Sequence, residues 1–283
     1  MEKFGKVIVK LRIPILILSF LLLIPSAIGY FNTRVNYDIL YYLPNEIETM
    51  QGQDILMDDF NKGAYAMVVV QNMDTKSTDR LIKKVENVDH VAQVISYTGI
   101  VGEDVPSEIV PSKFRKYFEN DSTDTTLFAI FFDNTTSSDD TMNAIIQIRE
   151  QTEGQAFISG MSAVVTDTKN LSEKETPLYV LIAVVLVCIV LAIFMDSFLV
   201  PVFFMISIGM AIVYNLGSNI LLGEVSYITK ALAAVLQLGV TLDYSIFLWH
   251  SYKEMKEIYP DDHKEAMAVA ISNTLTSVVG SSI

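Results

Sequence analysis

The sequence predicts a polytopic α-helical membrane protein that carries an exterior α/β domain. Hydrophobic residues make up 51% of the chain and the mean hydropathy is +0.38, yet the net charge is −13. The charge is segregated, because residues 32–176 hold 24 acidic and 12 basic residues whereas the rest of the chain holds 9 and 8. A polar acidic block between apolar blocks excludes a purely soluble enzyme, a disordered protein and a basic nucleic-acid-binding protein.

Uncharged segments predict the membrane spans. A helix needs about 20 apolar residues to cross a hydrocarbon core of about 30 Å. Four segments are predicted to do so: residues 13–31, 177–195, 198–222 and 231–242. The last of these spans continues through Asp243 to Trp249. A fifth apolar segment, residues 266–283, is predicted as a short final span or an incomplete one, and we expect the chain to be the N-terminal part of a longer protein. The first segment is expected to be retained, because its apolar core of 19 residues is longer than that of a signal peptide.

Basic residues near the spans predict the orientation in the cell membrane. Four basic residues precede the first span and place the N-terminus in the cytoplasm. They are Lys3, Lys6, Lys10 and Arg12. The acidic block then lies outside the cell, and the loop after the fourth span, which contains Lys253 and Lys264, returns to the cytoplasm. The chain is therefore divided into residues 1–31 with the first span, an exterior domain at 32–176, and further spans at 177–283.

The exterior domain is predicted to have the ferredoxin-like, split βαβ arrangement. Runs rich in β-branched and aromatic residues predict strands at 64–72, 91–97, 127–132 and 156–159. Ser77 or Thr78 is expected to cap a helix that runs to about residue 87, and Ser137 or Ser138 a second helix. A short helix at 108–118 is predicted between them. Without that short helix, the order is strand–helix–strand–strand–helix–strand.

The sequence offers no catalytic or metal-binding set, so we expect no enzyme activity and no cofactor. His90 is the only histidine of the exterior domain, and Cys188 is the only cysteine of the chain. The pairs Asp58–Asp59 and Asp139–Asp140 lack the spacing of a calcium loop. There is no Walker A sequence, so the chain is not expected to drive transport by hydrolysing a nucleotide.

Asp243 is the candidate functional residue, since it is charged within an apolar span. It lies seven residues before His250, which places it roughly 10 Å inside the end of the helix. A carboxylate in hydrocarbon is costly unless it faces protein or water, and desolvation disfavours its charged form, so such a group can carry protons. Tyr244 adds a hydroxyl beside it, and Gly239 lies one turn earlier, where it permits close helix packing. The alternative is that Asp243 makes a structural polar contact or lies at the membrane interface.

Residues 239–255, GVTLDYSIFLWHSYKEM, resemble the Gly-x-x-x-Asp-Tyr signature in the fourth span of MMPL-type transporters of the resistance–nodulation–division (RND) superfamily. The segments YDILYYLP at 37–44 and SGMSA at 159–163 occur in the order found in that family. The resemblance covers essentially the whole chain. It implies that the exterior domain is a porter domain and that Asp243 and Tyr244 take part in proton relay.

Two departures from the family pattern bear on this interpretation. Ser251 stands where family members often have arginine, which affects an electrostatic contact on the cytoplasmic side. The family also has a second, similar half that this sequence lacks, so the expected partner is the missing C-terminal half or a second chain.

The leading hypothesis is therefore a proton-motive-force-driven exporter of lipids or of hydrophobic or amphiphilic small molecules. An auxiliary factor in protein translocation is one alternative, and a membrane sensor with an exterior ligand-binding domain is another. Asp243 favours the first two hypotheses over the sensor, and the 37–44 and 159–163 segments favour the exporter over the translocation factor.

Overall fold

A computed structural model describes residues 2–38, 40–102, 105, 109–120, 122–152, 154–195 and 197–282. The chain forms two compact units. One comprises residues 36–174 and is called the exterior unit, and the other comprises residues 1–35 with 175–283 and is called the membrane unit.

The helices and strands are numbered in chain order. The helices are α1 (Glu2–Lys10), α2 (Arg12–Asn32), α3 (Glu48–Asp58), α4 (Thr75–Glu86), α5 (Tyr97–Val101), α6 (Ser112–Arg115), α7 (Asp139–Thr152), α8 (Met161–Phe194), α9 (Leu199–Ser218), α10 (Tyr227–Ile258) and α11 (His263–Ser282). The strands are β1 (Arg34–Asn36), β2 (Ala64–Gln71), β3 (Val91–Ile95), β4 (Glu119–Asn120), β5 (Thr125–Phe132), β6 (Ala156–Ser159) and β7 (Glu224–Ser226). Short 3-10 helices occupy Leu40–Tyr42 and Asn219–Leu222.

The exterior unit is built on an antiparallel sheet with the strand order β3–β5–β2–β6, and the short β4 pairs with β5. Helix α4 connects β2 to β3, and α7 connects β5 to β6. This order and these connections are those of a split βαβ fold, so the predicted strand and helix order is confirmed.

Alternation along the strands determines which face of the sheet is buried. In β2, Ala66, Val68 and Val70 are buried, whereas Tyr65 and Met67 are about half exposed. The buried face packs against α4 and α7, and the core comprises Val68, Val70, Leu81, Ile82, Val85, Phe128, Ile130, Phe132, Ile145 and Ile148. Burying each large aliphatic or aromatic side chain contributes about 1.5–3 kcal/mol.

Several predicted boundaries in the exterior unit were wrong. Helix α4 is capped by Asp74 and not by Ser77 or Thr78, because the Asp74 carboxylate accepts a hydrogen bond from the Ser77 backbone N–H at 3.3 Å. Strand β3 ends at Ile95, because the hydroxyl of Ser96 accepts from the Gly99 N–H and caps α5. The predicted helix at 108–118 is reduced to the four residues of α6, and residue 108 lies outside the described residues.

The membrane unit contains, among the residues described, four helices that are long and apolar enough to cross a membrane: Arg12–Asn32, Met161–Ile193, Leu199–Leu222 and Tyr227–Ile258. The predicted fifth segment forms α11, but this helix does not meet the same criterion of apolarity. Polar residues such as Ser272, Asn273 and Thr276 lower its hydropathy. A membrane-spanning role for α11 therefore stays a prediction.

Glycines allow α2 and α9 to touch along their backbones. A Cβ atom at Gly29 of α2 would overlap the carbonyl oxygen of Gly217 in α9, and one at Gly217 would overlap that of Ser26. The same helices are joined where the Tyr214 hydroxyl donates to the Ser19 carbonyl oxygen at 2.6 Å. Small residues favour such contacts in membranes, where packing replaces hydrophobic association.

We expect Gly217→Val to destabilise the membrane unit by about 1–3 kcal/mol, because the new methyl groups must force α2 and α9 apart. Gly209→Val is the matched control, since Gly209 lies in the same helix and no atom lies within 4 Å of its Cβ position. Unfolding of the detergent-solubilised chain, followed by circular dichroism, measures the difference. Equal losses in the two variants would contradict the close contact.

We also expect the Asp74 cap to make the exterior unit sensitive to acid. The Ser77 hydrogen bond lowers the pKa of Asp74 below its ordinary value of 3.8. The stabilisation is therefore complete above that value and is lost as the pH falls through the lower pKa of the folded state.

Melting temperatures at pH 7 and pH 3 measure this loss. Asp74→Asn should melt below wild type at pH 7, and the gap should narrow at pH 3. Asp89→Asn, which removes the same charge from an exposed turn, serves as the control. The same acid sensitivity in wild type and in Asp74→Asn would rule out this role for the cap.

Candidate functional site

Helix α10 positions the candidate site, with Asp243 midway along its 32 residues. The helix begins after Ser226, whose hydroxyl accepts a hydrogen bond from the Ile228 backbone N–H at 3.3 Å. Its residues from 231 to 242 carry no charge. Asp243 is therefore the first charged side chain met along α10 after Lys230.

Asp243 lies on a face of α10 that no described residue covers. The face follows the three- and four-residue spacing of a helix: Leu232, Leu236, Gly239, Val240, Asp243, Phe247 and His250, all exposed. In the most apolar part of α10, none of the described residues is buried within the chain. Among described residues Asp243 also makes no hydrogen bond or ion pair. The candidate proton carrier thus belongs to a surface that the described residues leave uncovered.

Asp243 and Tyr244 are not joined by a hydrogen bond in the described structure. Successive residues on a helix point about 100° apart, so the two side chains leave α10 in different directions. Tyr244 is 39% exposed and lines a cleft between α10 and α11. The structure therefore places the two candidate relay residues on adjoining faces, and their relay roles stay a prediction.

The cleft beside Tyr244 has a mixed polar and apolar lining and a volume of about 540 Å³. Its lining consists of Tyr244, Phe247, His250, Ser251, Glu254, Asn273, Thr274, Ser277 and Val278. The Thr274 hydroxyl is buried and has no hydrogen-bond partner among the described atoms. The sequence alone does not predict this cleft, because the cleft depends on how α10 meets α11. The only sequence signal was the cluster of polar residues in the fifth apolar segment.

Ser251, which stands in place of the family's arginine, lies in this cleft. Its hydroxyl donates to the Ala270 carbonyl oxygen at 3.5 Å, so it contacts α11 and contributes no charge. The only ionisable groups lining the cleft besides Tyr244 are, in the described part, His250 and Glu254.

Gln237 and Thr241 lie on the packed side of α10 and not beside Asp243. The Gln237 amide donates to the Thr241 hydroxyl at 2.9 Å, and its carbonyl oxygen accepts from Asn215 of α9 at 3.4 Å. These contacts fix one side of α10 to α9. They leave the Asp243 side without neighbours.

Gly239 does not contact another helix in the described structure, since nothing lies within 4 Å of its Cβ position. The predicted close packing at Gly239 therefore stays a prediction. The glycines that mediate helix contacts here are Gly5, Gly29 and Gly217. These contacts are not predictable from the sequence, because a glycine in an apolar segment does not reveal which helix it meets.

His90 forms a polar cluster on the exterior unit. Its Nδ1 lies 3.2 Å from an Asp133 carboxylate oxygen, and its Nε2 lies 3.8 Å from one of Asp140. No group of three histidine, cysteine or acidic residues suited to a metal ion occurs among the residues that the structure places. The cluster thus connects the start of β3 with the end of β5 and the start of α7.

Comparison with known proteins supports the identification made from the Asp-Tyr sequence. A family model described as the MMPL family matches residues 42–283. A search of curated proteins gave no match.

We expect Gln237→Leu to weaken the packing of α9 on α10, because it removes a hydrogen bond between these helices. The expected loss is about 0.6 kcal/mol and at most about 1.7 kcal/mol, as for other hydrogen bonds between membrane helices. Asp243→Asn should leave stability unchanged, because the described chain gives Asp243 no partner to lose. Unfolding in mixed detergent micelles measures both. A matching loss in Asp243→Asn would show that Asp243 already makes a structural contact within this chain.

Proposed function

The chain belongs to the MMPL family of RND-superfamily transporters, and on that premise we propose that it is part of a proton-motive-force-driven exporter. The proposed substrates are lipids or other hydrophobic or amphiphilic small molecules. The single observation that supports proton coupling is the position of Asp243 on an uncovered apolar face midway along α10.

The energetic argument begins with the surroundings of Asp243. Leu236, Val240 and Phe247 on the same face are more than half exposed, as suits contact with lipid or with another apolar helix. A carboxylate among them costs several kcal/mol unless a partner or water reaches it. We infer that the working transporter covers this face with its C-terminal half or with a second chain.

A carboxyl group in that interface can exist in two states. When it is neutral, the interface tolerates an apolar neighbour, and when it is charged, the interface favours a cation, a hydroxyl group or water. Protonation at Asp243 then biases two packings of the helices, which is the requirement for coupling proton entry to a conformational change. Tyr244, the next residue along α10, lines the cleft that also contains His250 and Glu254.

The exterior unit is proposed to act as the porter domain. Helices α4 and α7 pack on one face of its split βαβ sheet, and the opposite face exposes apolar side chains. Tyr65 is 46% exposed, Met67 is 45% exposed and Phe157 is 61% exposed. Exposed apolar patches of this kind are suited to contact with a hydrophobic substrate or a second domain.

We expect Asp243→Asn to reduce transport to background while expression and folding stay near wild type. Asparagine keeps the shape and hydrogen bonding of the side chain but cannot exchange a proton. Tyr244→Phe should reduce transport less, because it removes a hydroxyl and leaves the proton carrier.

The measurement is efflux of a fluorescent phospholipid analogue from vesicles under an imposed proton gradient. The transporter is assembled with its partner half or chain. Asp261→Asn, which removes an exposed carboxylate from the loop before α11, is the control and should transport like wild type. Wild-type efflux by a well-folded Asp243→Asn protein would falsify proton coupling through this residue.

A further inference from the structure

A basic cleft of about 420 Å³ lies where α1, the start of α2 and the start of α11 meet. It is lined by Lys6, Val9, Lys10, Arg12, Ile13, Asp262, Lys264, Glu265 and Ala268. Four of these side chains are basic and two are acidic, although the whole chain has a net charge of −13. The cleft is thus a local excess of positive charge in an acidic protein.

Both carboxylates of the basic cleft are already engaged by the protein. Glu265 pairs with Lys6, with 2.7 Å between the ammonium nitrogen and a carboxylate oxygen. Asp262 accepts hydrogen bonds from the backbone N–H groups of Lys264 and Glu265, each at 3.0 Å. The hydrogen bond from the Glu265 N–H, and to a lesser extent the one from the Lys264 N–H, lowers the pKa of Asp262. This carboxylate therefore stays charged and serves as the helix cap.

The remaining three basic side chains are exposed and are directed to solvent. Lys10, Arg12 and Lys264 form no ion pair within the residues that the structure describes. A guanidinium group can bind two oxygens of a phosphate at once, and two ammonium groups add charge beside it. The unmatched charge therefore suits a phosphate group.

The cleft also lies at the end of a membrane span. Arg12 is the first residue of α2, and Ile13, which follows it, is 60% exposed. Further along the same helix, Leu16 and Ile17 are each 56% exposed. A ligand with its phosphate in the cleft would therefore find an apolar surface directly beside it.

Helix α1 has the pattern of a helix that lies in the membrane interface. Phe4, Val7 and Leu11 are exposed apolar residues at helical spacing, and Lys3, Lys6 and Lys10 repeat the same spacing on another side. Such a helix places its apolar side among acyl chains and its lysines among headgroups. The third side holds Gly5, where a Cβ atom would overlap the Ala268 carbonyl oxygen, so α1 is fixed against α11.

We propose that the basic cleft binds the phosphate headgroup of an anionic phospholipid from the leaflet at the N-terminal end of α2. Lys10, Arg12 and Lys264 contact the phosphate, and the acyl chains run along Ile13 and the exposed side of α2. Inorganic phosphate shares the headgroup chemistry but gains nothing from this apolar surface. The inference is independent of the proposed export activity.

The test is a titration of the detergent-solubilised chain with dioctanoyl phosphatidylglycerol, followed by native mass spectrometry. Dioctanoyl phosphatidylcholine and inorganic phosphate are titrated in parallel. Phosphatidylglycerol should bind more tightly than either. Lys10→Gln and Arg12→Gln should each weaken its binding about fivefold, as expected for the loss of one cation near a lipid surface.

Two further variants separate this site from a general charge effect. Lys256→Gln removes an exposed lysine from the last turn of α10 and should leave binding unchanged. Lys10→Arg keeps the charge and should bind like wild type. Equal binding of phosphatidylcholine would overturn the proposal, and so would full displacement by inorganic phosphate at the lipid's own concentration. An equal loss in Lys256→Gln would overturn it as well.

Discussion

Backbone contact at small residues holds the membrane unit together, because lipid chains are as apolar as leucine and give helices no hydrophobic reason to associate. Gly29 and Gly217 bring α2 and α9 into contact, and Gly5 brings α1 against α11. Polar contacts then add to these packings, as where Gln237 meets Asn215 between α9 and α10. The exterior unit follows the opposite rule, since its sheet and helices are joined by a buried core that includes Phe128, Ile130 and Ile145.

Because the membrane helices associate through such local contacts, the two sides of α10 differ in what they touch. One side of the helix uses Gln237 to contact α9 and Ser251 to contact α11. The other side, with Asp243, is bare in the part of the chain described here. A helix fixed on one side and open on the other can change its neighbour without losing its place in the bundle. That property suits a residue whose preferred surroundings change with its protonation.

The sequence predicted the elements whose signals are local. Runs rich in β-branched and aromatic residues predict β2 and β5, and the helical spacing of Leu81, Ile82 and Val85 predicts the inner side of α4, where all three are buried. In α7 the sequence places Met142, Ile145, Ile146 and Ile148 inward. The prediction is wrong for Ile146, which is 36% exposed and lies about 100° around the helix from Ile145.

The features that prediction missed depend on which elements meet. The glycine contact between α2 and α9 and the cleft beside Tyr244 belong to this class. The cap of α4 was also missed, although its signal is local, since Asp74 lies three residues before Ser77. The break at Leu11, which separates α1 from α2, was also missed. Pro14 marks this break, because proline has no backbone N–H and is tolerated in the first turn of a helix. Asp243 and Tyr244 were proposed from the chemistry of their side chains, which required no knowledge of their neighbours, and their relay roles stay a prediction.

The contact of α1 with α11 has a consequence for biogenesis. Gly5 packs against Ala268 and Ser272, and Lys6 pairs with Glu265, so α1 docks on a helix that is synthesised much later. Synthesis at about 5–20 residues per second leaves α1 without that neighbour for many seconds. During this interval its exposed Phe4, Val7 and Leu11 keep it on the membrane surface. Docking of α1 on α11 then occurs only after α2, α8, α9 and α10 have been synthesised.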